Sequence, residues 1–175
     1  MPQPSTPDSG QPSADGELPA AQYIAGLARK RMAAGVIFRD AAGRVLLVEP
    51  SYEPNWEIPG GVVEQDESPW AAAERELAEE LSWHRPPGRL LVVDYIKPYD
   101  ARPEGIVFVF DGGLVTDNDI AEMKFADGEL LSASLHTVAE ARRKVKPILA
   151  DRIASALAAV DQGATALCEQ GQRIV

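Results

Sequence analysis

The chain has 175 residues, of which 45% are hydrophobic and 25% charged, as in one ordinary globular domain that can bury a core. Its formal net charge of −10 disfavours nucleic acid and anionic membranes as partners. The single cysteine excludes a disulfide framework and a multi-cysteine metal site. No apolar stretch reaches the roughly 18 residues of a membrane span, and no secretory signal pattern opens the chain, so we expect a cytoplasmic protein.

Residues 1–19 are rich in proline, serine and glycine and contain little that a core could bury. We expect them to form a flexible N-terminal tail, followed by a single domain over residues 20–175. At the start of that domain, Tyr23, Ile24 and Leu27 recur at helical spacing, which predicts a short leading helix over residues 20–30.

Two apolar runs follow, and they are typical of paired strands. Residues 31–39 and 44–49 flank a turn sequence, Asp-Ala-Ala-Gly, which favours a hairpin. A shorter strand over residues 56–58 then leads through a proline to Gly60 and Gly61. Two consecutive glycines allow the backbone to approach a ligand closely, although they also suit a tight turn.

The next segment has strong helix signals. Ser68 is a good N-cap, and Pro69 stands at the first helical position, where its missing N–H costs nothing. An apolar stripe expected to pack on the core comprises Trp70, Ala73, Leu77 and Leu81.

Three carboxylates, those of Glu76, Glu79 and Glu80, fall together on one flank of this helix, beside the apolar stripe. Like charges three or four residues apart destabilise a helix by about 0.2–0.5 kcal/mol per pair. A hard cation with oxygen ligands, Mg²⁺ or Mn²⁺, would turn that repulsion into binding. For a glutamate cluster alone, a solvated acidic face in an acidic protein is the better interpretation, and only the spacing described below favours a metal site.

The rest of the chain alternates strands and helices. Strands are predicted over residues 90–97, 105–111 and 129–135, a strand end or bulge at the glycine pair 112–113, an irregular polar segment over 117–127, and helices over 137–143 and 147–160. Residues 171–175 carry no clear pattern. Pattern alone therefore indicates an α+β fold with a mixed sheet.

The spacing around the acidic helix is more specific than its charge. Gly61, Glu67 and the run Arg75-Glu76-Leu77-x-Glu79-Glu80 resemble the Nudix hydrolase signature, Gly-x5-Glu-x7-Arg-Glu-U-x-Glu-Glu-x-Gly-U, in which U is a bulky aliphatic residue. Seven of the nine specified positions match. We call residues 61–83 the Nudix box. The resemblance implies an α/β/α sandwich around a mixed sheet, with the box helix packed on the sheet and further helices near the C-terminus.

Two positions of the box depart from the family pattern. Ser82 stands where the family has glycine, and Trp83 where it has an aliphatic residue. Glycine suits a left-handed helix cap better than serine does. We expect the chain to turn at Ser82 and Trp83 to pack inward.

The resemblance also implies a chemistry: metal-dependent hydrolysis of a diphosphate linkage in a nucleoside diphosphate derivative, by attack of water on phosphorus. Mg²⁺ is the expected ion, with Mn²⁺ as a substitute. The implied catalytic residues are Glu76, Glu79, Glu80 and Arg75; the implied metal ligands are Gly60, Glu76, Glu79 and Glu80; the implied supporting residues are Gly61 and Glu67. An acidic residue outside the box could complete the site, and the candidates are Glu122, Asp127 and Glu129.

The box does not identify the substrate, which is expected to be a small diphosphate. Pro98, 15 residues after Trp83, resembles a mark of ADP-ribose pyrophosphatases, so ADP-ribose or a nucleotide sugar is the first guess. Nucleoside triphosphates, dinucleoside polyphosphates and prenyl diphosphates stay open, as does a homodimer. The alternative function is a non-catalytic Nudix-fold module that binds a nucleotide, although such a module would be expected to lose box carboxylates that this chain keeps.

Overall fold

The computed structural model describes residues 19–125 and 128–175. The predicted tail therefore lies outside the described residues except for Pro19, and the candidate acid Asp127 also lies outside them.

The strands of the described chain form one eight-stranded sheet. They are β1 (Arg31–Arg39), β2 (Val45–Pro50), β3 (Gly60–Val62), β4 (Leu90–Ile96), β5 (Gly105–Leu114), β6 (Leu130–His136), β7 (Ala166–Glu169) and β8 (Gln172–Arg173). The helices are α1 (Ala20–Ala25), α2 (Pro69–Leu81), α3 (Asp117–Ala121), α4 (Val138–Lys144) and α5 (Pro147–Gln162). None of these helices is long and apolar enough to cross a membrane.

The sheet is mixed. Its order is β6-β2-β1-β5-β4-β7-β8, and β3 also pairs with β1. β1 and β5 run parallel, as do β4 and β7, and the other pairs are antiparallel. The central strand β1 carries β3 beside its first half, with Gly35 opposite Gly60. This pairing places the double glycine in the middle of the sheet.

The two faces of the sheet bury separate cores. On one face Leu77 and Leu81 of α2 pack with Phe38 of β1. On the other face Ile153 and Ala156 of α5 pack with residues of β1, β2, β4 and β5. Helices thus cover both faces, and the predicted α/β/α sandwich with its mixed sheet is confirmed.

The box helix α2 begins as predicted, because the Ser68 hydroxyl accepts a hydrogen bond from the Ala71 N–H at 3.1 Å and Pro69 follows directly. Three of the four stripe residues are buried, but Trp70 is 42% exposed. Its ring lies in the first turn and meets the edge of Phe110, with the ring centroids 5.5 Å apart. The placement of Trp70 in the core was therefore wrong.

The end of α2 also agrees with the expectation. Ser82 adopts the left-handed conformation, with φ of 55°, and its N–H donates to the Ala78 carbonyl at 3.1 Å. The next N–H, that of Trp83, donates to the Leu77 carbonyl. Trp83 is buried and packs edge-on against Phe38, with 5.2 Å between the ring centroids. The indole thus fills the position at which the family has an aliphatic side chain.

Several other elements differ from the prediction. The strand expected at residues 56–58 is reduced to a single bridge between Val48 and Glu57. The segment expected to be irregular contains α3, which begins with a capping box between Thr116 and Asp119. The C-terminal segment forms the hairpin of β7 and β8.

Candidate active site

The acidic flank of α2 lies beside the double glycine of β3, because the helix packs directly on β1 and β3. The Glu80 side chain is buried, with 8% of the residue exposed. One of its oxygens, Oε2, accepts a hydrogen bond from the Gly60 N–H at 2.9 Å. We call Gly60 and Gly61, at the start of β3, the glycine turn. A carboxylate that the sequence predicts to be functional therefore joins the helix to this glycine turn.

Glycine at position 61 leaves room for a second carboxylate. A Cβ atom built on Gly61 would overlap both the carboxyl carbon and the nearer oxygen of Glu76. The Glu76 side chain is 15% exposed and lies over the bare backbone of β3. The Gly61 position and Glu76 are thus matched in shape.

Arg75 holds the box carboxylates through one guanidinium group. Its Nε and Nη2 atoms donate to the two oxygens of Glu67, both at 3.0 Å. Its Nη1 atom donates to Glu76 Oε1 and to Glu79 Oε2, both at 2.9 Å. Nη2 also reaches the Val62 carbonyl of β3, at 3.1 Å. This arrangement supports the positioning role implied for Arg75, since a planar guanidinium fixes the orientation of the groups it binds.

Burial and the neighbouring charges shift the pKa values of the cluster in opposite directions. Burial raises the pKa of Glu76, the hydrogen bond from Arg75 lowers it, and the nearby charges of Glu79 and Glu129 raise it further. The hydrogen bonds from Arg75 hold the pKa of Glu67 below its usual value. A carboxylate that is desolvated and surrounded by like charges is a site that gains from a bound cation.

The donor set suits a hard divalent ion. The side chains offered are carboxylates, and Mg²⁺ prefers oxygen ligands. The described residues contain no preformed group of three or more acidic, histidine or cysteine side chains arranged as a metal site. Glu79, whose side chain is 55% exposed, faces Arg75. The ligand set of Gly60, Glu76, Glu79 and Glu80 therefore stays a prediction.

Of the two extra acids that the structure describes, Glu129 is near the cluster. The Glu129 carbonyl accepts a hydrogen bond from the Ser51 N–H at 2.7 Å, and its charge affects the pKa values of both Glu76 and Tyr52. Glu122 is exposed at the C-terminal end of α3. Glu129 is therefore the better candidate of the two.

A cavity of about 250 Å³ opens beside the acidic flank, and Gly60, Gly61 and Glu80 line one side of it. The lining also includes a carboxyl pair, Glu53 and Glu57, that sequence analysis missed. Burial, together with the neighbouring Glu53 carboxyl, raises the pKa of Glu57 to about 7, and the Lys146 ammonium opposes that rise. We call this space the acidic cavity.

The missed pair is held by a residue distant in the chain. The Lys146 Nζ atom lies 2.7 Å from Glu53 Oε2 and 3.8 Å from Glu57 Oε1. The only local signal was a glutamate within the apolar lead-in to the glycine turn. Nothing in the sequence spacing relates positions 53 and 146.

A mixed sheet between two helical layers, with an acidic helix docked against a double-glycine strand, defines a Nudix-type α/β/α sandwich. The chain matches the NUDIX domain family over residues 29–157, and it belongs to that family. No curated protein sequence matches it significantly.

Solved structures support the fold. The MutT protein of Methanosarcina mazei Go1 is similar at 22% identity, with 79% of this chain and 99% of that chain covered and a TM-score of 0.61. The Nudix domain of Shewanella oneidensis NrtR, solved with ADP-ribose, is similar at 18% identity, 82% and 99% coverage and a TM-score of 0.62. An ADP-ribose pyrophosphatase from Streptococcus suis 89-1591 is similar at 15% identity, 81% and 99% coverage and a TM-score of 0.56.

Proposed function

We propose that this chain is an enzyme that hydrolyses the diphosphate linkage of a nucleoside diphosphate derivative by attack of water on phosphorus. The observation that carries the proposal is the intact charged network of the box. Arg75 binds Glu67, Glu76 and Glu79, while Glu80 is buried against the glycine turn at the acidic cavity. Several desolvated carboxylates that repel one another lower the stability of the fold, so the fold alone does not account for them.

The Gly60 carbonyl with Glu76, Glu79 and Glu80 would hold Mg²⁺ or Mn²⁺ at this place. Bound divalent ions offset the negative charge that develops on the phosphoryl oxygens and orient the reacting groups. Arg75 fixes the orientation of the Glu76 and Glu79 carboxylates through its hydrogen bonds. Gly61 leaves the space that Glu76 occupies. The acidic cavity also has apolar lining residues, which include Val48 and Ile58.

ADP-ribose and nucleotide sugars are the first substrates to test. Two observations favour them: the proline at position 98, and the resemblance in fold to a Nudix domain solved with ADP-ribose and to an ADP-ribose pyrophosphatase. The two solved structures are each less than 25% identical to this chain, so they guide only the choice of substrates to assay.

The test is a phosphate-release screen over diphosphate compounds with Mg²⁺ and with Mn²⁺. We expect hydrolysis that stops when EDTA is in excess, and a loss of kcat by orders of magnitude in Glu80→Gln and in Glu76→Gln. Glu74→Gln is the matched control, because Glu74 is exposed on the same helix, outside the network.

Two outcomes would contradict the proposal. Turnover that persists undiminished in EDTA, or near-native rates in both Glu76 and Glu80 variants, would place the chemistry elsewhere. Tight binding of a nucleotide without any hydrolysis would favour the alternative, a non-catalytic binding module.

A further inference from the structure

A second cavity, of about 380 Å³, adjoins the acidic cavity. The two share four lining residues, which form the partition between them: Glu57, Val107, Leu149 and Arg152. The two spaces therefore lie against each other, and a ligand that occupies both would pass Glu57.

The second cavity has the opposite charge. Its charged lining residues are one carboxylate, Glu57, and four cations: Arg31, Arg102, Lys146 and Arg152. The chain as a whole carries a formal charge of −10, so a concentration of cations at this place is a local feature. We call it the basic cavity.

Two of the four cations already have carboxylate partners. Arg152 binds the buried Asp94, with donor–acceptor distances of 2.9 and 2.7 Å. Lys146 binds Glu53 at 2.7 Å. These two side chains stabilise the wall of the cavity, and much of their charge is already compensated.

Arg31 and Arg102 form no ion pair with a carboxylate in the part of the chain that the structure describes. Both guanidinium groups instead lie over the ring of Tyr99, with the Cζ atoms 5.7 and 5.5 Å from its centroid. Arg31 Nε donates to the Pro103 carbonyl, and Arg102 Nη1 donates to the Tyr99 hydroxyl. These contacts orient the two side chains without a directly bound carboxylate, although the charge of Arg102 also helps to lower the pKa of the nearby Glu53.

We infer that the basic cavity binds a phosphate group of the substrate that lies outside the scissile diphosphate. Paired guanidinium groups recognise phosphate through short, charge-assisted hydrogen bonds. The substrate would then be a nucleoside diphosphate derivative that carries an additional phosphate, for example on a ribose hydroxyl. This inference rests on the proposed function, because it assigns the acidic cavity to the scissile linkage.

The opposite charges of the two cavities would also set the orientation of the substrate. A bare phosphate is repelled by the carboxylates of the acidic cavity and attracted to Arg31 and Arg102. The diphosphate linkage would lie at the acidic end, where the metal ligands are predicted. A substrate bound the other way round would place the additional phosphate beside Glu80 and away from Arg31 and Arg102.

The first experiment needs no turnover. Inorganic phosphate is titrated into the metal-free chain, and the backbone amide shifts of residues 97–104 are followed by NMR. We expect saturable shifts in the wild type and a dissociation constant about tenfold higher in Arg31→Met and in Arg102→Met, since each removes a charged hydrogen-bond donor. Arg85→Met is the matched control, because Arg85 also lies over an aromatic ring, that of Trp83, but lines neither cavity.

The second experiment compares substrates that differ by one phosphate: ADP-ribose with its 2′-phosphate, NAD⁺ with NADP⁺, and dephospho-coenzyme A with coenzyme A. We expect kcat/KM to be at least about tenfold higher for the phosphorylated member of one pair, through a lower KM. Arg31→Met and Arg102→Met should remove the preference, because kcat/KM should fall about tenfold more for the phosphorylated member than for the unphosphorylated one. Arg102→Lys should restore part of the preference because it keeps the charge.

The two experiments separate the inference from the proposed function. Phosphate binding that is weakened by both substitutions supports the basic cavity even if no diphosphate is hydrolysed. Hydrolysis with no preference in any pair, or a preference that survives in both methionine variants, overturns the inference and leaves the hydrolase intact. Phosphate shifts that are equal in wild type, Arg31→Met and Arg102→Met overturn it as well.

Discussion

At the scale of single residues, Arg75 binds three of the four box glutamates. One guanidinium binds Glu67 with two donors and shares a third donor between Glu76 and Glu79. Glu80 is instead held by a backbone N–H, that of Gly60. A cation entering the site would compete with Arg75 for Glu76 and Glu79, but it would find Glu80 already placed.

The fit between Gly61 and Glu76 gives a prediction about catalysis. In Gly61→Ala the new methyl group would overlap the Glu76 carboxylate, so this flexible side chain must move. We expect kcat/KM to fall by about 10–100-fold, because small displacements of a catalytic group are costly. The melting temperature should change little. Steady-state kinetics and a thermal melt measure the two effects.

Gly43→Ala provides the opposite control. Gly43 has φ of 79° in a hairpin turn, with nothing near its absent Cβ. Alanine there should lower stability by about 1 kcal/mol, because of backbone strain, and leave the kinetics unchanged. Full activity in Gly61→Ala would show that the position of Glu76 is not critical.

Glu57 gives a prediction about pH. Its folded-state pKa is raised to about 7, chiefly by burial, above the ordinary value of 4.5. The folded chain therefore holds a proton that the unfolded chain has released, and stability falls as pH rises from about 4.5 to about 7. Glu57→Gln keeps the shape and removes the titration. We expect this substitution to stabilise the chain by about 1 kcal/mol at pH 8 and by little at pH 5. The value at pH 8 is reduced for the partial exposure of the side chain.

Urea unfolding at the two pH values measures this difference. Glu64→Gln is the control, since Glu64 is exposed on the loop before α2, outside both cavities. A Glu57→Gln variant that is no more stable than wild type at pH 8 would show that Glu57 is ionised at no cost in the folded chain.

At the scale of elements, the C-terminal end of α2 combines a strained residue with a compensating contact. Ser82 is left-handed, with φ of 55°, and its hydroxyl donates to the Lys124 carbonyl at 3.2 Å. Ser82→Gly should relieve the strain by a few tenths to about 1 kcal/mol and lose the exposed hydrogen bond. We expect a net rise in melting temperature of up to about 3 °C.

Ser82→Ala separates the two contributions, because alanine keeps the strained backbone and loses the hydroxyl. It should melt below wild type. If Ser82→Gly also melts below wild type, the hydrogen bond to Lys124 outweighs the left-handed strain.

Elements with local signals could be predicted closely. Strand β1 and the start of α2 occur where the sequence indicated, since apolar patterning, the Ser68 cap and Pro69 act within a few residues. The glycine pair at 112–113 marks a real register shift in the pairing of β5 with β1. The sequence signal for each of these features lies within a few neighbouring residues.

Three elements were missed or given the wrong length. β7 exists because it pairs in parallel with β4, some 70 residues earlier, with Val92 opposite Ala166. The leading helix is shorter than predicted and buries none of its apolar residues, so no core contact extends it. The capping box of α3 was visible at Thr116 and Asp119 but stood in a polar segment without apolar periodicity.

The same distinction holds for the site. The box residues are close in sequence, so spacing predicted which would stand together, and Arg75 does contact three of the four glutamates. The carboxyl pair of Glu53 and Glu57, and the cations of the basic cavity, come from separate elements. Only the folded sheet and α5 bring them together.

At the scale of the whole molecule, carboxylates and guanidinium groups are concentrated in two adjoining cavities. The acidic cavity carries Glu53, Glu57 and Glu80, and the basic cavity adds Arg31 and Arg102 across the shared wall. Carboxylates that repel one another weaken the fold in the absence of a cation. A metal ion that binds the folded chain and not the unfolded chain should therefore raise the free energy of unfolding.

We expect Mg²⁺ to raise the free energy of unfolding by about 1.4 kcal/mol at ten times its dissociation constant, and the melting temperature by about 3–6 °C. Glu80→Gln should lose most of this rise because it removes a buried ligand charge, and Glu74→Gln should keep it. NaCl at matched ionic strength controls for screening of the net charge of −10. An equal rise in wild type and Glu80→Gln would mean that Mg²⁺ acts on the surface charge, and that the ligand set centred on Glu80 is wrong.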